Sequence, residues 1–233
     1  MGGIAKELLP LGPRLDGSQT LPLPVIANAI NAGIRAGADR CMIVTSAAKA
    51  PTLMQAVASL ELPLPISYLH QQNSCGLGSA IECVLKHVKP DDIVLMLMPD
   101  TVMRPLDVIV ECVNSVRAGA LASATLFRVA HPRRFGVAEF NGNGDVVGFA
   151  EKPQFPKSDS IWTSVAFSGG FFSYIRESNK ADLSFTAALD FATRDGKMVF
   201  HRAEGGQFWD VGNYDDYLLA LSSLGLLRSG GTS

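Results

Sequence analysis

The stretch "DIVLMLMPDT", residues 92–101, runs six apolar residues from Ile93 to Met98 and then ends in Pro-Asp-Thr. A run this short and this continuous reads as a strand buried on both faces, because a half-exposed strand would alternate. Asp100 closes it. A carboxylate at the edge of a core is costly unless it finds a partner, takes up a proton or binds a cation. In open α/β sheets, ligands gather beyond the carboxyl ends of the strands, and Asp100 lies at such an end. Pro, Asp and Thr are also ordinary turn residues, so the segment alone leaves a turn and a functional acid evenly balanced.

Outward from this strand, helical and strand-like stretches take turns. "PLPVIANAINAGIRAGA" (22–38), "APTLMQAVASL" (50–60), "GLGSAIECVLKHV" (76–88) and "LDVIVECVNSVRAG" (106–119) have helical spacing. "CMIVTS" (41–46), "PISYLHQ" (65–71) and "LASATLFRVA" (121–130) are compact and strand-like. This alternation predicts an α/β fold, Rossmann-like, with a mixed, mainly parallel central sheet flanked by helices. Beyond residue 130 the texture turns β-rich. "FGVAEFNGNGDVVGFAEKP" (135–153) reads as a hairpin around Asn-Gly-Asn-Gly, and "WTSVAFSGGFFSYI" (162–175) as a further strand region. A helix, a strand and a closing helix "NYDDYLLALSSLGLL" (213–227) complete the pattern. With no linker-like stretch or repeat, we expect one domain over residues 1–228 and a flexible tail from 229 to 233.

At 233 residues, with 47% hydrophobic and 18% charged residues, the composition suits a sizeable core and argues against disorder. A formal net charge of −2 gives no electrostatic footprint for nucleic acid. No apolar run is long enough to cross a bilayer, and no basic-then-apolar signal pattern opens the chain. The four cysteines, Cys41, Cys75, Cys83 and Cys112, lack a CxxC spacing. They read as reduced thiols of a cytoplasmic protein, without a disulfide framework or zinc site.

Four further stretches carry candidate chemistry. In "QQNSCGLGSAI" (71–81), Gly76 and Gly78 open a helix, where backbone N–H groups can approach a polar ligand. "GFAEKP" places Glu151 and Lys152 after a hairpin strand; taken alone, such a pair is usually a solvated surface feature. "GQFWDVGNYDDY" sets Asp210 ahead of a helix that Asn213 or Asp215 could cap instead. "IAKELLPLG", with Lys6, says little by itself.

In this order, "KELLPL", "AGI", "QQNSCGLGSAI", "LMPD", "FGVAEF", "GDVVGFAEKP" and "FWDVGNYDDYLLAL" resemble the sugar-1-phosphate nucleotidylyltransferases over nearly the whole chain, from Lys6 to Leu221. The resemblance implies a nucleotidyltransferase (GT-A-like) fold with a β-rich sugar-binding back half. It also implies transfer of a nucleoside monophosphate from a nucleoside triphosphate, UTP or dTTP, to a sugar-1-phosphate, releasing pyrophosphate. Asp100 and Asp210 look like the pair of carboxylates that holds a catalytic Mg²⁺, which suits hard oxygen ligands. Lys6 matches a lysine that contacts phosphate, and Lys152 one that contacts the sugar phosphate. Glu151 and Gly136 match positions that hold sugar hydroxyls; Gln71 and Gly76 match those that read the nucleobase. Family members are often homo-oligomers, though no stretch here marks an interface.

The front of the chain departs from the pattern. "MGGIAKELLPLG" has too few residues before Lys6 for the family's middle strand and its G-G-x-G-T-R loop, and the loop's arginine has no counterpart. "GPRLDGSQTLPLP" (12–24) looks like an insertion. Two origins fit this front: a truncated chain and a naturally divergent member. Losing a middle strand predicts that its two neighbours have unpaired edges and bare apolar faces. The alternative function is a nucleotide- or sugar-phosphate-binding or regulatory protein on the same scaffold. A cytidylyltransferase acting on a molybdenum cofactor or an alcohol phosphate ranks last.

Overall fold

The computed structural model describes residues 5–16, 19–72, 76–177 and 184–226. The expected tail and the Asn73–Cys75 part of the glycine loop lie outside them. A 3-10 turn, Lys6–Leu8, leads into an antiparallel hairpin of β1 (Pro10–Asp16) and β2 (Gln19–Pro24), which is what the inserted segment becomes. Next come α1 (Ile26–Arg35), β3 (Cys41–Thr45), α2 (Ala50–Ala58) and β4 (Ile66–His70), with β3 and β4 paired in parallel. Then follow α3 (Leu77–Leu85), β5 (Ile93–Met96), β6 (Thr101–Arg104), α4 (Asp107–Arg117) and β7 (Ala122–Arg128). The back half carries β8 (Gly136–Phe140), β9 (Val146–Glu151), β10 (Ser160–Ser168) and α5 (Phe171–Glu177). It closes with α6 (Phe185–Arg194), β11 (Met198–Arg202), β12 (Gln207–Asp210) and α7 (Tyr214–Ser223).

The central sheet has the order β11-β7-β10-β8-β9, with β5 also on β10. The nine residues of β10 let it take β7 along one edge and divide the other between β8 and β5. Helix α4 covers one face through Ile109, Cys112 and Val113, which pack with Phe127 and Ala166. The other face holds Leu126, Val165, Phe167, Phe171 and Leu189, each no more than 2% exposed. Each such large side chain contributes about 1.5–3 kcal/mol on burial, so this sandwich is the stable body of the molecule.

The α/β class and the mixed sheet are as expected, but the parallel share is smaller than the alternation of elements suggested. Among the described residues only β3–β4 and β7–β11 pair in parallel. Strand β10 enters between β5 and β7 antiparallel to both, which a helix-strand alternation does not reveal. The 162–175 region also divides at Gly169-Gly170 into the end of β10 and helix α5. The hairpin expectation holds: β8 and β9 pair, and Asn141 Oδ1 accepts the amides of Asn143 and Asp145 in the turn.

The run that opened the sequence reading is not buried on both faces. Val94 to Met98 are only partly buried and Ile93 is 38% exposed. The cause is lateral: β5 pairs with β10 on one edge, β3 pairs with β4 on one edge, and among the described residues neither has a strand on its other edge. A cavity of about 570 Å³ lies there, lined by β3, β5, α1 and α3. Among the described residues, the two edges expected to be unpaired are so.

Candidate active site

The antiparallel pair β6–β12 decides the geometry of the two aspartates. Asp210 stands opposite Thr101, and the amide of Val211 donates to the carbonyl of Asp100 at 3.0 Å. Asp210 is available for this role because Asn213 caps α7, its Oδ1 accepting the amide of Asp216 at 2.9 Å. Both carboxylates are largely shielded, with side chains 14% and 21% exposed. Burial pushes the pKa of Asp210 up, and the charge of Asp100 adds to the rise. The Gly212 amide on its Oδ1 at 2.9 Å, with Arg134 and Lys6, pulls the other way. A buried acid whose ionisation is opposed by a neighbouring carboxylate forms a site that favours a cation.

Two cations answer them, and a third, Lys49, holds the turn that carries the first. Lys6, on the 3-10 turn, pairs with Asp100. Burial lowers its pKa, but the Asp100 hydrogen bond and the charges of Asp100, Asp210 and Glu7 outweigh burial and leave it raised. Arg134 spans Asp210 (3.0 Å) and Asp216 (2.6 Å) with its two terminal nitrogens. Lys49 reaches the buried carboxylate of Glu7 at 3.0 Å and so fixes the turn that carries Lys6.

Gly136, Glu151 and Lys152 converge on the β8–β9 pair, where Gly136 is in register with Glu151. A Cβ at Gly136 would stand 2.0 Å from Trp162 Nε1, so only glycine admits the indole. That indole donates to Thr186 Oγ1 at 3.2 Å, and the Thr186 hydroxyl in turn donates to Glu151. Lys152 has a left-handed φ of 42°, pinned by its amide on the carbonyl of Phe135 at 3.0 Å, and its side chain is 66% exposed. Gln71 follows β4, its amide bonded to the carbonyl of Thr45; its side-chain nitrogen donates to Gly76 O (3.3 Å) and to Ser79. Gly76 has φ +88° at the start of α3, with open space around its Cα.

The structure brings Lys6 to Asp100 and sets Asp210 beside Asp100 through β12 and β6, and it brings Gly136, Glu151 and Lys152 together on β8–β9; Gln71 and Gly76 form a third group after β4. Arg134 on Asp210 precedes Phe135, whose carbonyl accepts the amide of Lys152, so the second aspartate and the β8–β9 group are connected. Arg134, Glu7, Lys49 and Thr186 were not singled out in the sequence. For Arg134 the signal was its position two residues before Gly136; for the others we find none.

The nucleotidyl transferase family model matches residues 1–225. The chain belongs to that family. As a nucleotidyl transferase it is similar to the glucose-1-phosphate thymidylyltransferase of Streptomyces antibioticus, 32% identical over 162 residues, 66% of this chain and 44% of the relative. The chain thus spans less than half the length of that relative. It is also similar to the UTP–glucose-1-phosphate uridylyltransferase AglF of Haloferax volcanii, 24% identical over 83% of this chain and 80% of the relative. A Bacillus anthracis crystal structure, provisionally named a glucose-1-phosphate thymidylyltransferase and solved with a sucrose, superposes with a TM-score of 0.79. It shares 22% identity and covers 97% of this chain and 89% of that one, which establishes the fold. Among the described residues no helix is long and apolar enough to cross a membrane.

Proposed function

We propose that this nucleotidyl transferase moves a nucleoside monophosphate from UTP or dTTP to a sugar-1-phosphate in the cytoplasm. The observation that carries the reading is Asp100 beside Asp210 on β6–β12, with Lys6 on the first and Arg134 on the second. Among the described residues no cluster of three acidic, His or Cys ligands exists. Two adjacent carboxylates fit Mg²⁺, which takes one or two and completes its octahedron with water and phosphate oxygens. Asp100 and Asp210 would hold it, and when bound it supplies neutralisation of the phosphate charge.

The chain's own groups supply the rest by position and charge. A phosphate oxygen of the sugar-1-phosphate attacks the α-phosphorus; the bond to the α–β bridging oxygen breaks and pyrophosphate leaves with that electron pair. Lys6 offers its ammonium to the triphosphate. Lys152, held at the end of β9, meets the sugar phosphate. Glu151, oriented by Thr186, and the bare backbone of Gly136 hold sugar hydroxyls. Gln71 and Gly76, at the open N-terminus of α3, read the base.

The test is pyrophosphate release with UTP, dTTP and the other triphosphates against a panel of sugar-1-phosphates, with Asp100→Asn as control. Release that vanishes in the control supports the reading. Tight nucleotide binding with no release from any pair, by folded protein, would replace it with a binding role.

A further inference from the structure

Arg134 sits between two aspartates that hold it unequally. Its Nη1 donates to Asp216 Oδ2 at 2.6 Å and its Nη2 to Asp210 Oδ2 at 3.0 Å. Asp216 is itself fixed at the start of α7. Asn213 Nδ2 donates to its Oδ2 at 2.6 Å, and Asn213 Oδ1 accepts its amide at 2.9 Å. The hydrogen bond to Asp216 is the largest cause raising the pKa of Arg134, and the charge of Asp210 adds less. Asp216 is the anchor and Asp210 the looser partner.

The two oxygens of Asp210 are not equivalent. Oδ1 accepts the Gly212 amide at 2.9 Å, while Oδ2 takes Arg134. Oδ2 is thus the oxygen not committed to backbone, and a cation held by Asp100 and Asp210 competes with Nη2 for it. Among the described residues Nη2 has no other hydrogen-bond acceptor.

The surroundings keep the displaced nitrogen in place. Asp216 retains Nη1, and the guanidinium lies over the ring of Phe135, 5.6 Å from its centroid. That ring meets Phe208 of β12 edge-on, with centroids 5.7 Å apart. The carbonyl of Phe135 accepts the amide of Lys152 at 3.0 Å, so one residue separates Arg134 from the backbone that carries Lys152. Lys6, by contrast, pairs with Asp100. A guanidinium with a free N–H edge is suited to phosphate, which it meets through directed, charge-assisted hydrogen bonds.

We propose that Arg134 binds the phosphate of the sugar-1-phosphate once a divalent cation has taken Asp210 from it, so that cation and sugar phosphate bind cooperatively. The choice of phosphate rests on the transfer proposed above, in which Lys152 meets it. Without the cation, Arg134 is neutralised by two carboxylates; with it, Arg134 adds positive charge on the side of Lys152. By linkage, the sugar phosphate strengthens cation binding by the same factor.

Calorimetry tests this with glucose 1-phosphate on wild type, Arg134→Gln and Asp216→Asn, each without metal and at saturating Mn²⁺. In wild type, Mn²⁺ is expected to tighten the sugar phosphate by about tenfold. Arg134→Gln should match wild type without metal and gain less than about twofold with it. Asp216→Asn keeps Arg134 and both metal aspartates but loses the anchor, and should lose most of the gain. UTP binding at saturating Mn²⁺ should change by less than about twofold in either variant. An equal gain in Arg134→Gln and wild type would overturn the proposal, as would no gain in wild type. A parallel loss of UTP binding would also overturn it, since a merely structural role would weaken both ligands. Pyrophosphate release separates this coupling from the transfer itself. Release with the gain unchanged in Arg134→Gln sinks the role of Arg134 alone; the expected gains with no release from any substrate pair support that role and sink the transfer alone.

Discussion

The amide of Val211 donates to the carbonyl of Asp100 at 3.0 Å, and that bond brings two acids from distant parts of the chain to one end of the sheet. Backbone pairing, not the side chains themselves, holds Asp100 and Asp210 together. The site is therefore formed before any cation arrives, and its stability should respond to the charge it concentrates.

That response has a sign. Burial and the nearby Asp100 raise the folded pKa of Asp210 above its unfolded value. The native state then binds the proton more tightly, so stability is lost as pH rises from about 3.9, the ordinary aspartate value, through the folded pKa. Asp210→Asn removes that cost. Denaturant unfolding should show the variant more stable than wild type near pH 7, the difference fading below about pH 4. The lost Arg134 pair, partly exposed, offsets only about 0–1 kcal/mol.

Arg134 competes with any cation for Asp210. Arg134→Gln should change folding stability by less than about 1 kcal/mol, because the side chain is 42% exposed. Calorimetry should find Mn²⁺ bound about fivefold more tightly, equivalent to about 1 kcal/mol. Weaker binding would show that Arg134 shapes the site instead of counterbalancing it.

Gly136 is a steric requirement. Gly136→Ala drives a methyl into Trp162, and overpacking of this kind costs about 1–3 kcal/mol. Urea unfolding measures the loss, and a shift in tryptophan emission should accompany it as the indole leaves Thr186.

Lys152 separates charge from backbone. Its amine is exposed and its φ is left-handed. Lys152→Met should leave stability within about 0.5 kcal/mol and lower kcat/KM for the sugar phosphate by about 100-fold or more, roughly 2.7 kcal/mol. Lys152→Gly should lose the same activity while gaining about 1 kcal/mol of stability from relief of the backbone strain.

These residues differ in how far the sequence disclosed them. Asp100 ended an apolar run that left a turn and a functional acid evenly balanced, Asp210 had Asn213 and Asp215 as rival caps, and the resemblance of the ordered motifs gave both their role. The hairpin was legible from its Asn-Gly-Asn-Gly turn, and Gly136 only from the resemblance. Strand direction was not: apolar pattern marks a buried strand but does not say which neighbour it meets, so the antiparallel entry of β10 was hidden. Arg134 looked like one of two solvated arginines in "HPRRFGV", and only the fold places it between Asp210 and Asp216. Thr101–Arg104 sat in the shadow of the run before it, although its pairing with β12 builds the site.

The most direct test is a Mn²⁺ titration followed by electron paramagnetic resonance on wild type, Asp100→Asn and Asp210→Asn. Wild type should bind one ion, and each single variant should weaken it by about 100-fold or more, beyond what loss of an outer partner costs. Stoichiometric binding retained in both variants would contradict a centre shared by Asp100 and Asp210.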